Sequence, residues 1–474
     1  LRQIPTLGPS GLLPALYNSL CFLVRGRKIL DEAAMQFQDV GIFKMQLFSG
    51  WNVFVIRRDY IADMRGSRDR DLSLYHAQND ILALDHTIGA LPADEDNLHN
   101  KILQRMLASN FSENGTDLHD ESVMGLKHIF PIEHDGWHSV VCYKSVLELI
   151  TKVTNRFYVG DPLCRNQKYT DLVMDFVQGV PKAGMLINIF PYFLRPFVGP
   201  LISPLPRYEK IATEVIGDFL RSRIKMFDEH GKDWELKPRD MITWLLEEAE
   251  PYQRDATHIA MRLLRVNFAG LMSTSFFLPQ ILFKLAIAPE YVAPLREQID
   301  AAVDKHGWTK EGISRMYKLD SFIREVSRLK GFSALVLHRK VMSPDGFKFH
   351  DGLTIPQGTH IAAASCIVNL CADTFENPST FDGMRFARAQ EEADDVSMKQ
   401  QLTSPALNNL FYGVGKHACP GRFLMTFIIK IQVALILYNY DIKVKDDVSP
   451  GDRWMGAVCI PDMSAELMYR KRKV

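Results

Sequence analysis

The chain has no charge surplus, no paired cysteines and no long uninterrupted apolar run, and each absence removes a class of function. Lys plus Arg and Asp plus Glu number 56 each. No net field would therefore recruit nucleic acid, and any charge-driven partner must use a local patch. Seven cysteines, Cys164, Cys366, Cys371 and Cys419 among them, contain no CxxC pair and no even framework. They read as reduced and mostly buried rather than as a disulfide scaffold. No dinucleotide fingerprint, internal repeat, low-complexity tract or cleavable signal is present, and no run of about 20 apolar residues could span a bilayer. With 474 residues and 47% hydrophobic content, the expectation is one large domain around a sizeable core.

What is present is concentrated in Phe411-Tyr412-Gly413-Val414-Gly415-Lys416-His417-Ala418-Cys419-Pro420-Gly421-Arg422. One cysteine stands there on a glycine-hinged loop, before a long apolar helix expected to begin at about Pro420. Gly413, Gly415 and Gly421 let the backbone turn tightly and aim successive N–H groups at the sulfur. The helix N-terminus adds positive dipole, and Lys416 and His417 lower a thiol's pKa further. Such a thiolate suits haem iron. A buried structural cysteine beside a glycine turn is the alternative reading of the loop alone.

Periodicity predicts a mainly α chain with a small β subdomain. A helix is expected over 29–37, two strands over 42–47 and 51–56, and a basic helix containing His99, Lys101 and Arg105. Helices follow near 140–158, 169–184, 207–230 and 238–249. Residues 185–206 are apolar but broken by five prolines, which forbids a spanning helix; a lid dipping into a membrane surface and a loop packed in the core both remain open. A long helix from about Asp255 should kink at Pro279. Helices at 290–306, 320–330 and 361–370, strands at 334–341 and 347–349, an exposed loop at 385–408, a buried helix over 423–438 and a closing hairpin of 454–460 with 465–469 complete the pattern.

The cysteine run resembles the cytochrome P450 haem-binding signature F-x-x-G-x-[RH]-x-C-x-G, with Gly415, His417, Cys419 and Gly421 in register and Tyr412 where the family has Phe. Two further stretches resemble the family in order and spacing. Glu325 and Arg328, three apart on one helix face, read alone as a solvated pair; ahead of Phe381-Asp382-Gly383-Met384-Arg385-Phe386 they are similar to its three-residue ion network, with Arg385 as third member and Gly383-Met384 replacing the usual Pro-Glu. Ala269-Gly270-Leu271-Met272-Ser273-Thr274 stands where the family has [AG]-G-x-[DE]-T-[ST], with Met272 in place of the acid and Ser273 in place of Thr. A mid-helix glycine costs about 1 kcal/mol against Ala; room for dioxygen and a close helix crossing are both reasons for Gly270. The missing acid resembles a fungal branch that includes ent-kaurene-oxidase-like enzymes.

The resemblance, which covers the chain from Ile4 to Tyr469, implies a P450 fold and a haem b whose axial ligand is Cys419, with electron push toward O–O cleavage. It implies propionate ligands at His417, His338, Arg339 and Arg105, and proton delivery through Ser273 or Thr274 with water, against the commoner bonding of such hydroxyls to carbonyls one turn back. Leu82, Leu84, Phe268, Leu271, Met272, Ser333, Leu335, Val336, Val458 and Ile460 would wall a pocket for a hydrophobic, plausibly terpenoid, small molecule. The expected activity is hydroxylation or multiple oxidation with O2 and electrons from a separate NADPH–cytochrome P450 reductase, in fungal secondary metabolism. Expected, too, are a monomer at the endoplasmic reticulum membrane facing the cytosol, a linker over 1–28 after an absent N-terminal anchor, and one catalytic domain over 29–474. A peroxygenase or rearrangement catalyst is the alternative chemistry, and a non-catalytic haem-binding sensor the alternative class.

Overall fold

Alternating apolar residues build the first sheet. The computed structural model describes residues 1–89, 98–109, 111–392, 401–445 and 450–473, the side chains of 12, 105–109 and 111–114 excepted. Ile42–Leu47 and Gly50–Val55 pair antiparallel with Ile42 opposite Val55. Gly50–Val55 runs parallel to His360–Ala363, which pairs antiparallel with Val336–Val341; Leu72–Ser73 closes the far edge. The two-residue period sends Val53, Val55, Ile361 and Val341 to one face, under Tyr60, Phe349 and Ile355. Phe43, Met45 and Phe54 point the other way, onto Leu30, Ala33 and Phe37 of the helix Leu12–Phe37. Each such side chain removed from water contributes about 1.5–3 kcal/mol.

Contacts divide the chain into two units. This sheet belongs to the first, which comprises Leu1–Ile81, Asp320–Cys419 and Gly451–Asp462. The second comprises Leu82–Leu319, Pro420–Pro450 and Met463–Val474 and is helical. Its centre is Ala256–Ile287 and Arg422–Asn439, surrounded by Phe111–Ile129, Cys142–Tyr158, Gln167–Asn188 and Leu205–His230. A three-stranded sheet of His138–Val141, Glu466–Lys471 and Tyr440–Val444 flanks them. Both central helices have the length and mean hydropathy of a membrane span, contrary to the expectation that no such segment exists, but most of each apolar stretch is buried inside the unit. Ala256–Ile287 continues as one helix past Pro279.

Several boundaries differ from the sequence reading. The first helix starts at Leu12, inside the expected linker, and is interrupted at Arg25 (φ −128°, ψ 20°). Leu13, Leu16, Tyr17, Leu20 and Val24 lie exposed on its first half, so it lacks the one-sided pattern that announces a helix. Residues 361–370 divide into the strand His360–Ala363 and a single turn, Ser365–Val368. A short apolar run does not distinguish strand from helix until two neighbouring strands claim it. The expected loop at 385–408 begins as a helix, Arg385–Glu392, with Phe386 and Ala387 buried; its residues 393–400 lie outside those described. The closing hairpin does not form. Arg453–Met455 pairs with Val458–Ile460 across a two-residue turn in the first unit, while Glu466–Lys471 joins the second unit's sheet. The proline-broken stretch holds a short turn and the helix Arg195–Ile202. Ile189, Tyr192, Phe193, Phe197 and Leu201 are 68–86% exposed there, which excludes core packing for these five.

In the first unit, one carboxylate organises the segment after the sheet. Glu325, on the helix Tyr317–Lys330, is fully buried and accepts two hydrogen bonds from Arg328 (2.7 and 2.8 Å), one from Arg385 Nε (3.2 Å) and one from the backbone N–H of Asp382 (3.1 Å). The guanidinium groups go on to donate to the carbonyls of Asn369, Pro378, Glu376 and Thr380. Glu325→Gln removes the charge both arginines share, a change worth about 3–5 kcal/mol for a buried pair. Urea unfolding of the variant is expected to show a correspondingly lower midpoint; an unchanged midpoint contradicts this role.

Candidate functional site

The cysteine loop owes its path to two left-handed glycines, Gly413 (φ +71°) and Gly415 (φ +75°). A Cβ on Gly415 would also lie 2.7 Å from the Arg65 carbonyl oxygen, so backbone approaches backbone where only glycine fits. The N–H of Gly413 donates to Leu410 O (2.9 Å), that of Ala418 to Gly415 O (3.1 Å) and that of Cys419 to Tyr412 O (2.7 Å). These bonds close the loop around a half-buried Cys419. Tyr412 is half-buried, with its ring edge-on to Phe411 at 4.7 Å. The following helix begins at Arg422, two residues later than expected, with Gly421 as its cap.

The charges beside the loop sort themselves by partner. Asp69, which sequence reasoning did not single out, pairs with both Lys416 (Nζ to Oδ2, 2.7 Å) and His417. Partial burial works against the Asp69 carboxylate, yet the two partners hold its pKa below the usual range. Burial first, and the nearby Arg339 guanidinium second, push the His417 imidazole down although Asp69 opposes them. Arg339 itself is 4% exposed. Burial pushes its pKa down to about 10, Nη1 donates to His338 O (2.8 Å), and its buried Nε has no hydrogen-bond partner among the described residues. Burial, then His360, pushes His338 down to about 4, so its imidazole is neutral at pH 7. Arg105 lies on the helix Leu98–Ser109, its side chain outside those described.

A haem fits this donor set. Its propionates are acids able to accept from the unmatched Arg339 Nε, since a buried guanidinium donor left without an acceptor is costly. Among the described residues no group of three or more His, Cys, Asp or Glu could hold a metal ion. A single cysteine suits iron that brings its other ligands with it.

In the second unit, Gly270 and its neighbours sit on Ala256–Ile287. A Cβ at Gly270 would meet the Tyr158 hydroxyl at 3.1 Å and Met425 Cε at 3.4 Å. Close crossing of three helices accounts for the glycine by itself. Thr274 is buried, and its hydroxyl donates to Gly270 O (2.8 Å), one turn back, and faces Met425 Sδ (3.3 Å). Ala269, Met272, Ser273 and Phe276, at positions i, i+3, i+4 and i+7, form the partly open face of this part of the helix. The structure thus separates the two hydroxyls: Ser273 lies on the open face, Thr274 on the packed one.

The ten expected wall positions fall five to each unit. In the second, Leu82 and Met272 are half-buried and Leu84 and Phe268 buried; Leu271, with no exposed surface, leaves no room for a substrate beside it. In the first, Ser333 bridges to Val458, Leu335 is buried, and Val336, Val458 and Ile460 are half-buried. Asp69, Tyr158 and Met425 were not legible beforehand. Asp69 stands in the charge run Arg68-Asp69-Arg70-Asp71, which reads as solvated loop, and Tyr158 and Met425 belong to ordinary apolar helix faces.

Comparison with known proteins identifies the family. The cytochrome P450 family model matches residues 135–467. Cytochrome P450 monooxygenase 151 of Postia placenta is 30% identical over 100% of this chain and 94% of that protein. Ent-kaurene oxidase P450-4 of Gibberella fujikuroi is 27% identical over 100% of this chain and 93% of that protein. A solved cyanobacterial structure, CYP120A1 with retinoic acid bound, superposes with TM-score 0.69 at 14% identity, covering 95% of this chain and 97% of that one, a likeness of fold. The chain belongs to the cytochrome P450 family, that of the haem-thiolate monooxygenases, and is an oxidoreductase of that fold.

Proposed function

We propose that Cys419 ligates the iron of a haem b and that the enzyme hydroxylates, or oxidises in several steps, a hydrophobic small molecule of terpenoid type. The observation that carries this reading is the cysteine loop itself: a thiol on two left-handed glycines, with a buried guanidinium donor in want of an acid in the same unit. Arg339 and His338 bind the propionates, joined by His417 once Asp69 yields it; Glu325, Arg328 and Arg385 brace the segment before the loop. A thiolate-held haem supplies activation of dioxygen when bound. Electrons come from an NADPH–cytochrome P450 reductase, the redox partner that the family's chemistry calls for. Apolar wall residues of the first unit such as Val336, Val458 and Ile460 exclude water and orient a hydrocarbon. The similarity to an ent-kaurene oxidase supports the terpenoid class.

Ser273, on the open helix face, holds and passes the proton that the absent acid would otherwise deliver. Thr274, already committed to Gly270 O, contributes packing. The exposed apolar residues of 189–201 and of the first half of Leu12–Phe37 rest on the cytosolic face of the endoplasmic reticulum membrane.

Three outcomes test the reading. Cys419→Ser is expected to abolish the carbon monoxide band of a thiolate-ligated ferrous haem; a retained band removes Cys419 from the iron. With an accepted hydrocarbon substrate, Ser273→Ala should lower product formed per NADPH by about tenfold and Thr274→Ala much less, whereas equal coupling in both would end the assignment to Ser273. Replacing Phe193 and Phe197 by Ser should weaken partition onto phosphatidylcholine vesicles by about tenfold per residue; unaltered flotation argues that this surface does not meet lipid.

A further inference from the structure

The Arg453–Met455 and Val458–Ile460 hairpin carries two of the wall positions, Val458 and Ile460, and the first unit grips it from both sides. On one side it joins the segment before the strand Val336–Val341. Ala334 N donates to Ala457 O (2.7 Å), Cys459 N to Phe332 O (2.9 Å), and Ser333 bridges to Val458. On the other side it meets the helix Leu12–Phe37 at the interruption at Arg25. There Gly456 N donates to Leu23 O (2.7 Å), and the Arg27 guanidinium stacks over the Trp454 ring at 5.1 Å.

The second grip depends on a missing side chain. A Cβ on Gly26 would stand 2.4 Å from Gly456 O, 2.6 Å from its carbonyl carbon and 2.9 Å from its Cα. The obstacle is backbone, so no rotamer change relieves it; the turn itself must move. Gly456 is buried at φ +59°, the left-handed corner of the two-residue turn, and cannot readily flatten away. Beside the stacked Arg27 and Trp454 lies a cavity of about 50 Å³, lined also by Ser333, Val336 and Phe411 among others. Nothing in the sequence marks Gly26, which stands in Arg25-Gly26-Arg27-Lys28.

We infer that Gly26 is a positioning residue for substrate specificity: its bare backbone, seated on Gly456, sets how far Val458 and Ile460 reach into the pocket. The inference rests on the haem-thiolate reading and on the wall role of those two residues. Displacing the turn shifts both side chains together, because only the Gly456-Ala457 turn separates their strand from Arg453–Met455. Long hydrophobic ligands should register the shift. A ligand small enough to stay beside the iron should not.

The full-length holoprotein tests this by spectral titration with imidazole and with 1-dodecylimidazole. Gly26→Ala is expected to change the dissociation constant of the dodecyl ligand by about fourfold or more, the effect of roughly one buried methylene, and to leave that of imidazole and the carbon monoxide band unchanged. Trp454→Leu, which removes the Arg27 stack without a backbone clash, is expected to act in the same direction and decides the matter if Gly26→Ala fails to fold. Dodecylimidazole binding unaltered in a folded Gly26→Ala, or in Trp454→Leu where Gly26→Ala does not fold, overturns the positioning role, as does an equal change for both ligands. A parent protein without a thiolate carbon monoxide band overturns the haem reading instead, and the two failures are told apart by that spectrum.

Discussion

The buried carboxylate of Glu325 is the constraint on which the cysteine-bearing unit depends. Removing an ion from water costs several kcal/mol even after relaxation, and the interior repays it only where every lone pair and every N–H finds a partner. Arg328 and Arg385 meet that condition by reaching past Glu325 to four backbone carbonyls between 369 and 380. That stretch contains no regular helix or strand. Its carbonyls take their donors from guanidinium forks rather than from neighbouring backbone. The network therefore does for an irregular segment what a ladder does for a strand.

A second, more local balance governs the loop. Lys416, His417 and Arg339 converge near Asp69. Asp69 engages exposed Lys416 and half-buried His417, while the buried Arg339 has a donor unmatched among the described residues. An arginine in that state is a receptor for a planar acid group, since its fork is fixed before the acid arrives. In the other unit the same economy of space appears in neutral form. Gly270 gives up its side chain to Tyr158 and Met425, and Thr274 gives its hydroxyl to a carbonyl one turn back, which leaves Ser273 as the hydroxyl on the open face.

Much of this was legible in the residues. Strong alternation at 42–56 and strong helical periodicity at 140–158 and 207–230 produced elements where they were expected, because one buried face writes its period into the sequence. The cysteine loop was readable for a similar reason: left-handed glycines and a cysteine are local requirements. The misreadings occur where the pattern is two-sided or ambiguous. Leu12–Val24 is apolar on its exposed face as well as its buried one; His360–Ala363 is a strand only because Gly50–Val55 and Val336–Val341 lie beside it; Glu466–Lys471 has partners more than three hundred residues earlier, at 138–141. Residues 256–287 and 422–439 satisfy the criteria of a membrane span and are core helices because other helices enclose them.

By itself, the amino-acid sequence determined the fold class, the glycine-hinged path of the cysteine loop and the residues of the ion network, because spacing along a helix and the conformational licence of glycine are properties of the chain at short range. Only the tertiary structure decided that Asp69 claims His417, that Arg339 keeps a free donor, that Ser273 and not Thr274 lies open, and that Gly26 seats the hairpin. Each of those outcomes is a competition for a partner or for a few cubic ångströms among residues distant in sequence, and folding alone brings the competitors together.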